Sequence, residues 1–178
     1  MRPIPVPPPA SDVAVRVARE DEYAAVGALT VAGYDADGYL VFPDGSYDHV
    51  YAGWLADAAA RGRDDVLLVA TAGDELWGTI TWCPFGSASS QLAQHPHQGE
   101  FRTLSVDPAA RGRGVGRALV AACLGRARAA GLTEVLLCSL SDMLPAHRLY
   151  TSLGFARRPE LDWCPEPGVD LWAFSIDM

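Results

Sequence analysis

The chain has 178 residues, enough for one domain with its own hydrophobic core. Its formal net charge of −8 argues against general nucleic-acid binding, which relies on a basic surface to neutralise phosphates. No apolar run reaches the roughly 18 residues that a membrane span needs, and the first residues lack the apolar core of a signal peptide. We therefore expect a cytoplasmic protein that binds neither nucleic acid nor membranes.

The predicted elements form one domain, 13–178, behind a proline-rich and flexible N-terminal tail, 1–12. Alternating or short apolar runs predict seven strands: Val13–Ala18, Val66–Thr71, Glu75–Trp82, Glu100–Val106, Glu134–Leu140, Phe155–Trp163 and Val169–Asp177. Helical spacing predicts four helices: Asp21–Gly33, one after Asp48 that ends at Arg61, Val115–Ala130 and Pro145–Leu153. This order predicts an α/β fold of α+β type, with a mixed sheet of six to seven strands covered by about four helices.

The cysteine and basic side chains narrow the chemistry. The four cysteines are scattered and form no C-x-x-C pair: Cys83, Cys123, Cys138 and Cys164. This spacing predicts reduced thiols rather than a disulfide framework or a metal site. His95 and His97 lie in a polar segment without further ligands, so we predict no bound metal. Because the sequence contains no lysine, any phosphate group must be held by arginine or by backbone N–H groups.

The segment "ARGRGVGRALV", Ala110–Val120, places glycines and arginines directly before a predicted helix. Unpaired N–H groups at a helix start attract anions, and glycine lets a phosphate approach the backbone closely. A dinucleotide-binding turn would need glycine where Arg117 stands, and a P-loop would need lysine. The pattern that remains is R-x-x-G-x-G, from Arg111 to Gly116. It predicts a phosphate site, with a solvated basic helix start as the alternative.

Together with the preceding "LSVDP", Leu104–Pro108, this turn resembles the acyl-CoA-binding motif of the GNAT superfamily of N-acetyltransferases. A second segment, "AHRLYTSLGF" at Ala146–Phe155, is similar to that family's A-x-x-x-Y-x-x-x-G-F motif. The two motifs span Glu100–Phe155, and the order of elements fits the family across Val13–Asp177. The resemblance implies a single-domain GNAT fold whose sheet is splayed at the cofactor site.

The resemblance also implies where acetyl-CoA binds. The strand that carries Leu104–Val106 should diverge from Glu134–Ser139, so that the pantetheine arm pairs with exposed backbone groups. The implied cofactor-binding residues are Leu104, Ser105, Val106, Arg111, Gly112, Arg113, Gly114, Val115, Gly116 and Arg117. The family often has asparagine where this sequence has Met143, and Ser139 or Ser141 are candidate replacements for its contacts.

Two catalytic residues follow from the resemblance. Tyr150 matches the tyrosine beside the CoA sulfur, and a phenol with a pKa of about 10 can protonate a departing thiolate. The alternative for Tyr150 is a purely structural role, in which its ring packs on the sheet. Glu100 matches the general base of some members, although it would need burial or an ordered water to act as one. A strand-end carboxylate, or an ion pair with Arg102, is the alternative for Glu100.

The residues of the acceptor site are predicted less directly. The segment 33–48 covers the acceptor cleft in this family, and its polar residues are candidates for contact with a cationic or polar amine: Tyr34, Asp35, Asp37, Tyr39, Asp44 and Asp48. A solvated acidic loop is the alternative. Trp163, with Glu160 and Asp162 nearby, is expected to line the cleft or to seal its end. The remaining tryptophans are predicted in the core: Trp54, Trp77, Trp82 and Trp172.

The sequence therefore predicts an acetyl-CoA-dependent N-acetyltransferase that transfers an acetyl group to a primary amine of a small molecule. Transfer would occur by direct attack in a ternary complex, without a metal. The resemblance also favours a homodimer, because dimers are frequent in the family. A noncatalytic acyl-CoA-binding sensor or partner module with the same fold is the alternative.

Overall fold

The computed structural model describes residues 12–178, so the predicted tail lies outside the described residues except for Asp12. Within this range the chain forms seven strands and five α-helices. The strands are β1 (Ala14–Val17), β2 (Val66–Ala72), β3 (Glu75–Cys83), β4 (Gln98–Val106), β5 (Glu134–Leu140), β6 (Ala156–Arg157) and β7 (Leu171–Asp177). The helices are α1 (Tyr23–Asp35), α2 (His49–Ala56), α3 (Ala58–Asp64), α4 (Val115–Ala129) and α5 (Leu144–Ser152).

The seven strands form one mixed sheet in the order β1-β2-β3-β4-β5-β7-β6. Neighbouring strands are antiparallel except β4 and β5, which are parallel. The predicted mixed sheet in a single domain is confirmed. Helices cover both faces, and alternate residues of β2 point to opposite sides: Leu68 and Ala70 join the core beneath α4, whereas Leu67 and Val69 pack with α1 and α3.

The parallel strands β4 and β5 separate after a short paired segment. Three residue pairs are in register, from Gln98 opposite Glu134 to Glu100 opposite Leu136, and no later pair of these strands follows within the described chain. Past Glu100, β4 continues for six residues to Val106 beside β3 alone. The expected splay of the sheet is therefore confirmed, and it lies at its centre.

A bulge in β4 accompanies the separation. Thr79 lies opposite Ser105 and Thr81 opposite Arg102, so β4 carries one residue more than β3 between these pairs. Thr103 within the bulge has a φ of 53°, which is rare for a β-branched residue. Its hydroxyl lies 2.6 Å from that of Thr81, and this hydrogen bond holds the strained backbone in place.

Some predicted elements differ from the observed ones. The prediction of a single helix after Asp48 is wrong, because two helices, α2 and α3, meet at Asp57. The carboxylate of Asp57 accepts a hydrogen bond of 2.8 Å from the backbone N–H of Ala60 and so caps α3. The strand predicted over Phe155–Trp163 is reduced to two residues, because Pro159 begins a short 3₁₀ segment. Trp172, predicted in the core, has 37% of its surface exposed. It shares a face of β7 with the buried Phe174 and stacks on His147 of α5, but it lies nearer the end of the strand, where the helix covers it only in part.

No helix between residues 12 and 178 has the length and apolar character needed to cross a bilayer.

Candidate functional site

A cavity of about 1040 Å³ lies where β4 and β5 separate. Most of its wall comes from β4 at 101–104, the end of β5 with the following turn at 138–143, α5, the segment from 38 to 54, and the loop from 163 to 171. Tyr34 of α1 and Gln91 of the loop after β3 complete it. The space is therefore open between two strands whose backbone groups are not paired with each other. Such a gap suits an extended ligand that carries amide groups.

Tyr150 lines this cavity from α5. Its ring packs among Phe101, Phe155 and Phe174, with ring centroids about 6 Å apart, and only 5% of its surface is exposed. Burial raises the pKa of the Tyr150 hydroxyl well above its ordinary value. The group therefore stays protonated at neutral pH, and within the described chain it donates no hydrogen bond. A protonated phenol is thus available to a ligand.

The glycine-rich turn, 111–117, has the backbone geometry that its sequence predicts. Gly112 and Gly114 have φ angles of 75° and 79°, in the left-handed region that favours glycine. Gly114 is the N-cap of α4, and no atom lies near the place where a side chain on Gly112 would begin. The next glycine, Gly116, approaches Leu149 of α5 so closely that an added Cβ would lie 3.2 Å from it. Residues 111–117 do not line the cavity itself. The helix start lies next to the end of β4, because the same added Cβ on Gly116 would be 3.8 Å from Val106 and 4.0 Å from Leu104.

The three arginines of the turn are each held by other parts of the protein. Arg111 forms an ion pair of 2.7 Å with Asp37. Arg113 stacks over Trp77 at 5.0 Å from its ring centroid, and Arg117 donates a hydrogen bond of 2.6 Å to Ser152. The arginines therefore surround the turn with positive charge, while the backbone N–H groups remain the groups with no competing partner of their own.

The predicted contacts along β4 divide by side. Leu104 lines the cavity, whereas the hydroxyl of Ser105 points to the opposite face and donates to the carbonyls of Leu29 and Thr30 at 3.3 Å. Val106 packs against the main core. For Ser105 and Val106, a contact with a ligand in the gap would therefore involve the backbone and not the side chain.

Ser139, Ser141 and Met143 line the cavity together. The Ser139 hydroxyl donates to the Met143 sulfur at 3.4 Å and lies 3.2 Å from Nε2 of His147. His147 is stacked against Trp172, and burial lowers its pKa, which favours the neutral imidazole. The two serines that could replace the usual asparagine thus lie at the cavity, and Ser139 is the one fixed by neighbouring side chains.

Glu100 does not line the cavity; its side chain is completely buried beneath the loop that follows β3. One carboxylate oxygen, Oε2, accepts four hydrogen bonds of 2.8–3.2 Å. The donors are the Ser90 hydroxyl and the backbone N–H groups of Gln91, Leu92 and Ala93. Oε1 has no hydrogen-bond partner among the described residues. The carboxylate therefore anchors this loop, and the ion pair considered with Arg102 is not formed.

The side of the cavity formed by α1, α2 and the segment between them is rich in aromatic rings. Tyr34 and Tyr39 line the cavity, and their rings are 6.3 Å apart in an edge-to-face arrangement. The structure does not bring Asp35 to the cavity, because it follows Tyr34 by about 100° around α1 and points to solvent. Asp48 lines the cavity, but its carboxylate caps α2 by accepting from the backbone N–H of Tyr51.

The other acidic candidates bind within the protein. Asp44 accepts hydrogen bonds from Ser46 in its own turn. Glu160 pairs with Arg158, and Asp162 pairs with Arg157; neither carboxylate lines the cavity. The neighbouring Trp163 does line it. Of the polar residues predicted to contact the acceptor, only Tyr34, Tyr39 and Asp48 line the cavity in the described chain.

Sequence reasoning missed several residues of the cavity wall. Trp54, predicted in the core, faces the cavity and stacks beneath Arg102 at 4.9 Å. Gln91 and Cys138 also line it, and their side chains contact each other at 3.6 Å. The sequence suggested Arg102 only as an ion-pair partner of Glu100, because its neighbours at the cavity come from distant parts of the chain.

Comparisons with known proteins agree with this architecture. A sequence model of the acetyltransferase (GNAT) family matches residues 17–155. A mycothiol acetyltransferase of Pseudarthrobacter chlorophenolicus is 34% identical over 136 residues, which cover 71% of this chain and 41% of the relative. The chain spans less than half the length of the curated relatives it matches.

Solved structures show the same fold at low sequence identity. The acetyltransferase yncA of Salmonella typhimurium, solved with its cofactor acetyl-CoA, has a TM-score of 0.62 at 19% identity, with 94% of each chain covered. A ribosomal-protein-alanine N-acetyltransferase of Brucella melitensis has a TM-score of 0.66 at 20% identity, with 93% of this chain and 99% of that chain covered.

Proposed function

Because this chain belongs to the acetyltransferase (GNAT) family, we propose that it is an acetyl-CoA-dependent N-acetyltransferase acting on a primary amine of a small molecule. The observation that carries the proposal is the cavity between β4 and β5, which a protonated Tyr150 lines. The glycine-rich turn does not line this cavity but lies next to the end of β4, where an added Cβ on Gly116 would be 3.8–4.0 Å from the side chains of Val106 and Leu104. Acetyl-CoA would supply the activated acetyl group, as a thioester. The relatives named mycothiol acetyltransferases are consistent with a small-molecule acceptor.

The residues of the chain fit this donor. The backbone N–H groups of 112–117 would bind its diphosphate, with Arg111, Arg113 and Arg117 adding positive charge. The unpaired backbone edges of β4 at 104–106 and of β5 would bind its amides. Ser139, held by Met143 and His147, is the proposed substitute for the asparagine contact.

In the proposed reaction, the neutral amine attacks the thioester carbonyl directly in a ternary complex. An N–C bond forms, the C–S bond breaks, and the amine loses one proton. Tyr150 donates its proton to the departing sulfur, which its buried and protonated hydroxyl allows. The backbone N–H near Leu104 would stabilise the charge on the carbonyl oxygen.

The proton released by the amine needs an acceptor, and Glu100 stays a prediction for this role. Its Oε2 is occupied by four hydrogen bonds, so Oε1 would have to act, through an ordered water, because Glu100 does not line the cavity. A change in the acidic limb of the pH–rate profile in Glu100→Gln would support this role. An unchanged profile would leave Glu100 as a loop anchor.

Tyr34 and Tyr39 are the proposed acceptor contacts, since both line the aromatic side of the cavity. For Asp35, which points away from the cavity, a contact would require the end of α1 to move. We also propose that the protein acts in the cytoplasm, binds no nucleic acid or membrane, and forms a homodimer. Sedimentation of the purified chain tests the last point.

The proposed function is tested by two measurements on the same preparation. Calorimetry with acetyl-CoA and with CoA measures donor binding, and a thiol-release assay measures transfer across amino acids, polyamines, aminosugars and aryl amines. We expect saturable donor binding and amine-dependent thiol release. Donor binding without release across all amine classes would favour the noncatalytic acyl-CoA-binding module instead.

A further inference from the structure

Arg102 is the one arginine among the described residues that lines the cavity. It extends from β4, two residues before Leu104, towards the side of the cavity formed by α1 and α2. Its guanidinium stacks on Trp54 at 4.9 Å and donates a single hydrogen bond, of 3.1 Å, to the carbonyl of Ser89. Because a guanidinium has five N–H donors, most of its hydrogen-bonding capacity is unused.

Most of the other arginines with a hydrogen-bond partner are bound to a carboxylate, and one is bound to backbone carbonyls. Arg16, Arg111, Arg157 and Arg158 each form an ion pair with a carboxylate at 2.6–2.7 Å. Arg61, which also stacks on Trp54, is buried and donates to the carbonyls that end α2. In the described chain, by contrast, no carboxylate lies within 4 Å of Arg102, not even that of Glu100 on the same strand.

Arg102 is therefore a positive charge in the cavity wall without a carboxylate to neutralise it. A cation held against aromatic rings, partly removed from water, attracts an anion more strongly than it would at the surface. The planar fork of arginine is suited to two parallel hydrogen bonds with a carboxylate. Acidic side chains elsewhere on the wall, at Asp142, Glu166 and Asp170, form no ion pair in the described chain, so the cavity presents opposite charges to one ligand.

We propose that Arg102 binds a carboxylate of the acceptor, so that the acceptor is an amino acid or a similar amine that also carries a carboxylate. This inference rests on the proposed function and names the acceptor class at the same site. Arg102 would set specificity by holding the acceptor, without contact with the reacting thioester. The aromatic wall of Tyr34, Tyr51 and Trp54 would cover the apolar part of the molecule.

The test compares acids with their neutral counterparts. Each standard α-amino acid, β-alanine and 4-aminobutyrate is paired with its primary amide, and both are assayed for thiol release and, by ligand-observed NMR with CoA present, for binding. We expect one or more acids to bind and react at least 10-fold better than the matching amide. Arg102→Gln should lower kcat/KM for the acid by roughly 10- to 100-fold and leave the amide within about 2-fold.

Two further variants separate the role of Arg102 from folding. Arg102→Lys keeps the charge but not the fork, and is expected to retain part of the preference for acids. Arg63→Gln removes an exposed arginine that does not line the cavity, and it should leave kcat/KM unchanged for both the acid and the amide. Acetyl-CoA affinity should be equal in all four proteins, because Arg102 lies on the acceptor side.

The outcomes distinguish the two proposals. Equal binding of acids and amides, equal losses for both in Arg102→Gln, or binding of neither overturns the role of Arg102. Acid-selective binding that disappears in Arg102→Gln supports that role even where no thiol is released, and the missing release then counts against the acetyltransferase proposal alone.

Discussion

At the scale of single residues, burial gives Tyr150 a protonated hydroxyl, and this makes a clear prediction possible. Tyr150→Phe removes the proton donor without changing the packing among Phe101, Phe155 and Phe174. We expect kcat to fall by about 10²-fold, the lower end of the range for acid catalysis, because thiolates leave fairly well unaided. The acetyl-CoA dissociation constant, measured by calorimetry, should change less than 2-fold.

Tyr23→Phe is the matched control, since Tyr23 packs beneath α3 and does not line the cavity. It should leave kcat unchanged. If Tyr150→Phe turned over as fast as the unmodified protein, the proton would have another source.

Glu100 leads to a prediction about stability. Glu100→Ala leaves four donors of the 90–93 loop without their acceptor and should lower the free energy of unfolding by roughly 3 kcal/mol. Glu100→Gln keeps a neutral acceptor oxygen and should cost only about 1 kcal/mol. Chemical denaturation of the three proteins gives the order, and equal stabilities would contradict the anchoring role.

The sequence predicted the parts of the site that are local. The glycine-rich turn and Tyr150 were found because a short motif suffices to describe the backbone or the residue spacing they need. The anchor of Glu100, the stack of Arg102 on Trp54 and the pairing of Arg111 with Asp37 were not found. These contacts join residues up to 74 positions apart, and no periodicity or motif encodes such pairings.

At the scale of elements, the start of α4 depends on glycine, whereas the middle of the helix does not. Gly114→Ala places a side chain at a φ of 79° and should lower the free energy of unfolding by about 1 kcal/mol. It should also weaken acetyl-CoA binding, because the N–H groups of the turn would shift. Calorimetry and thermal unfolding measure the two effects.

Gly125→Ala, in the middle of the same helix, provides a control of opposite sign. No atom lies within 4 Å of the position of its added Cβ. Alanine should therefore stabilise α4 by about 0.5–1 kcal/mol and leave donor affinity unchanged. A similar loss of affinity in both variants would mean that helix stability, and not the turn, governs binding.

The entry to α1 gives a pH-dependent prediction. Two hydrogen bonds from Arg16 and one from the backbone N–H of Arg19 lower the pKa of Glu22 from 4.5 to about 2. Because the folded pKa is depressed, the stabilisation is complete above pH 4.5 and is lost as the pH falls towards 2. Glu22→Gln should cost about 1 kcal/mol at pH 7, with a difference that disappears near pH 2.

Denaturation at several pH values measures this difference, and Glu20→Gln is the control, since Glu20 is exposed and has no side-chain partner in the described chain. A constant penalty between pH 7 and pH 2 would show that the charge of Glu22 is not responsible.

Elements were predicted well where hydrophobic periodicity was long, as in β2, β3 and α4. The division between α2 and α3 was missed because helical spacing continues across Asp57, and only the turn of the backbone shows that this residue caps a new helix. Trp172 was misplaced for another reason: its strand and face match those of the buried Phe174, but the sequence does not show that α5 covers this end of β7 only in part.

At the scale of the whole molecule, the gap in the sheet predicts where acetyl-CoA should change the dynamics of the backbone. Hydrogen–deuterium exchange should slow in segments 103–106, 112–117 and 138–141, because the N–H groups there that are not already bonded to β3, β7 or Asp170 would gain partners. The strand pair β2 and β3, which is fully hydrogen-bonded already, should be unaffected. Uniform protection across the chain would indicate a general stabilisation instead, and no protection would contradict the binding site.

The three residue pairs that join β4 to β5 have a mechanical consequence. These pairs divide the sheet into two parts, β1–β4 and β5–β7, which are hydrogen-bonded to each other only along this short segment. Helix α4 packs against strands of both parts. The width of the opening is then fixed by packing rather than by hydrogen bonds. A substitution where α5 meets the turn, such as at Leu149 against Gly116, is expected to change the width of the opening without touching any bound molecule. In the proposed acetyltransferase, such a substitution would alter selectivity for acyl-group size from a distance.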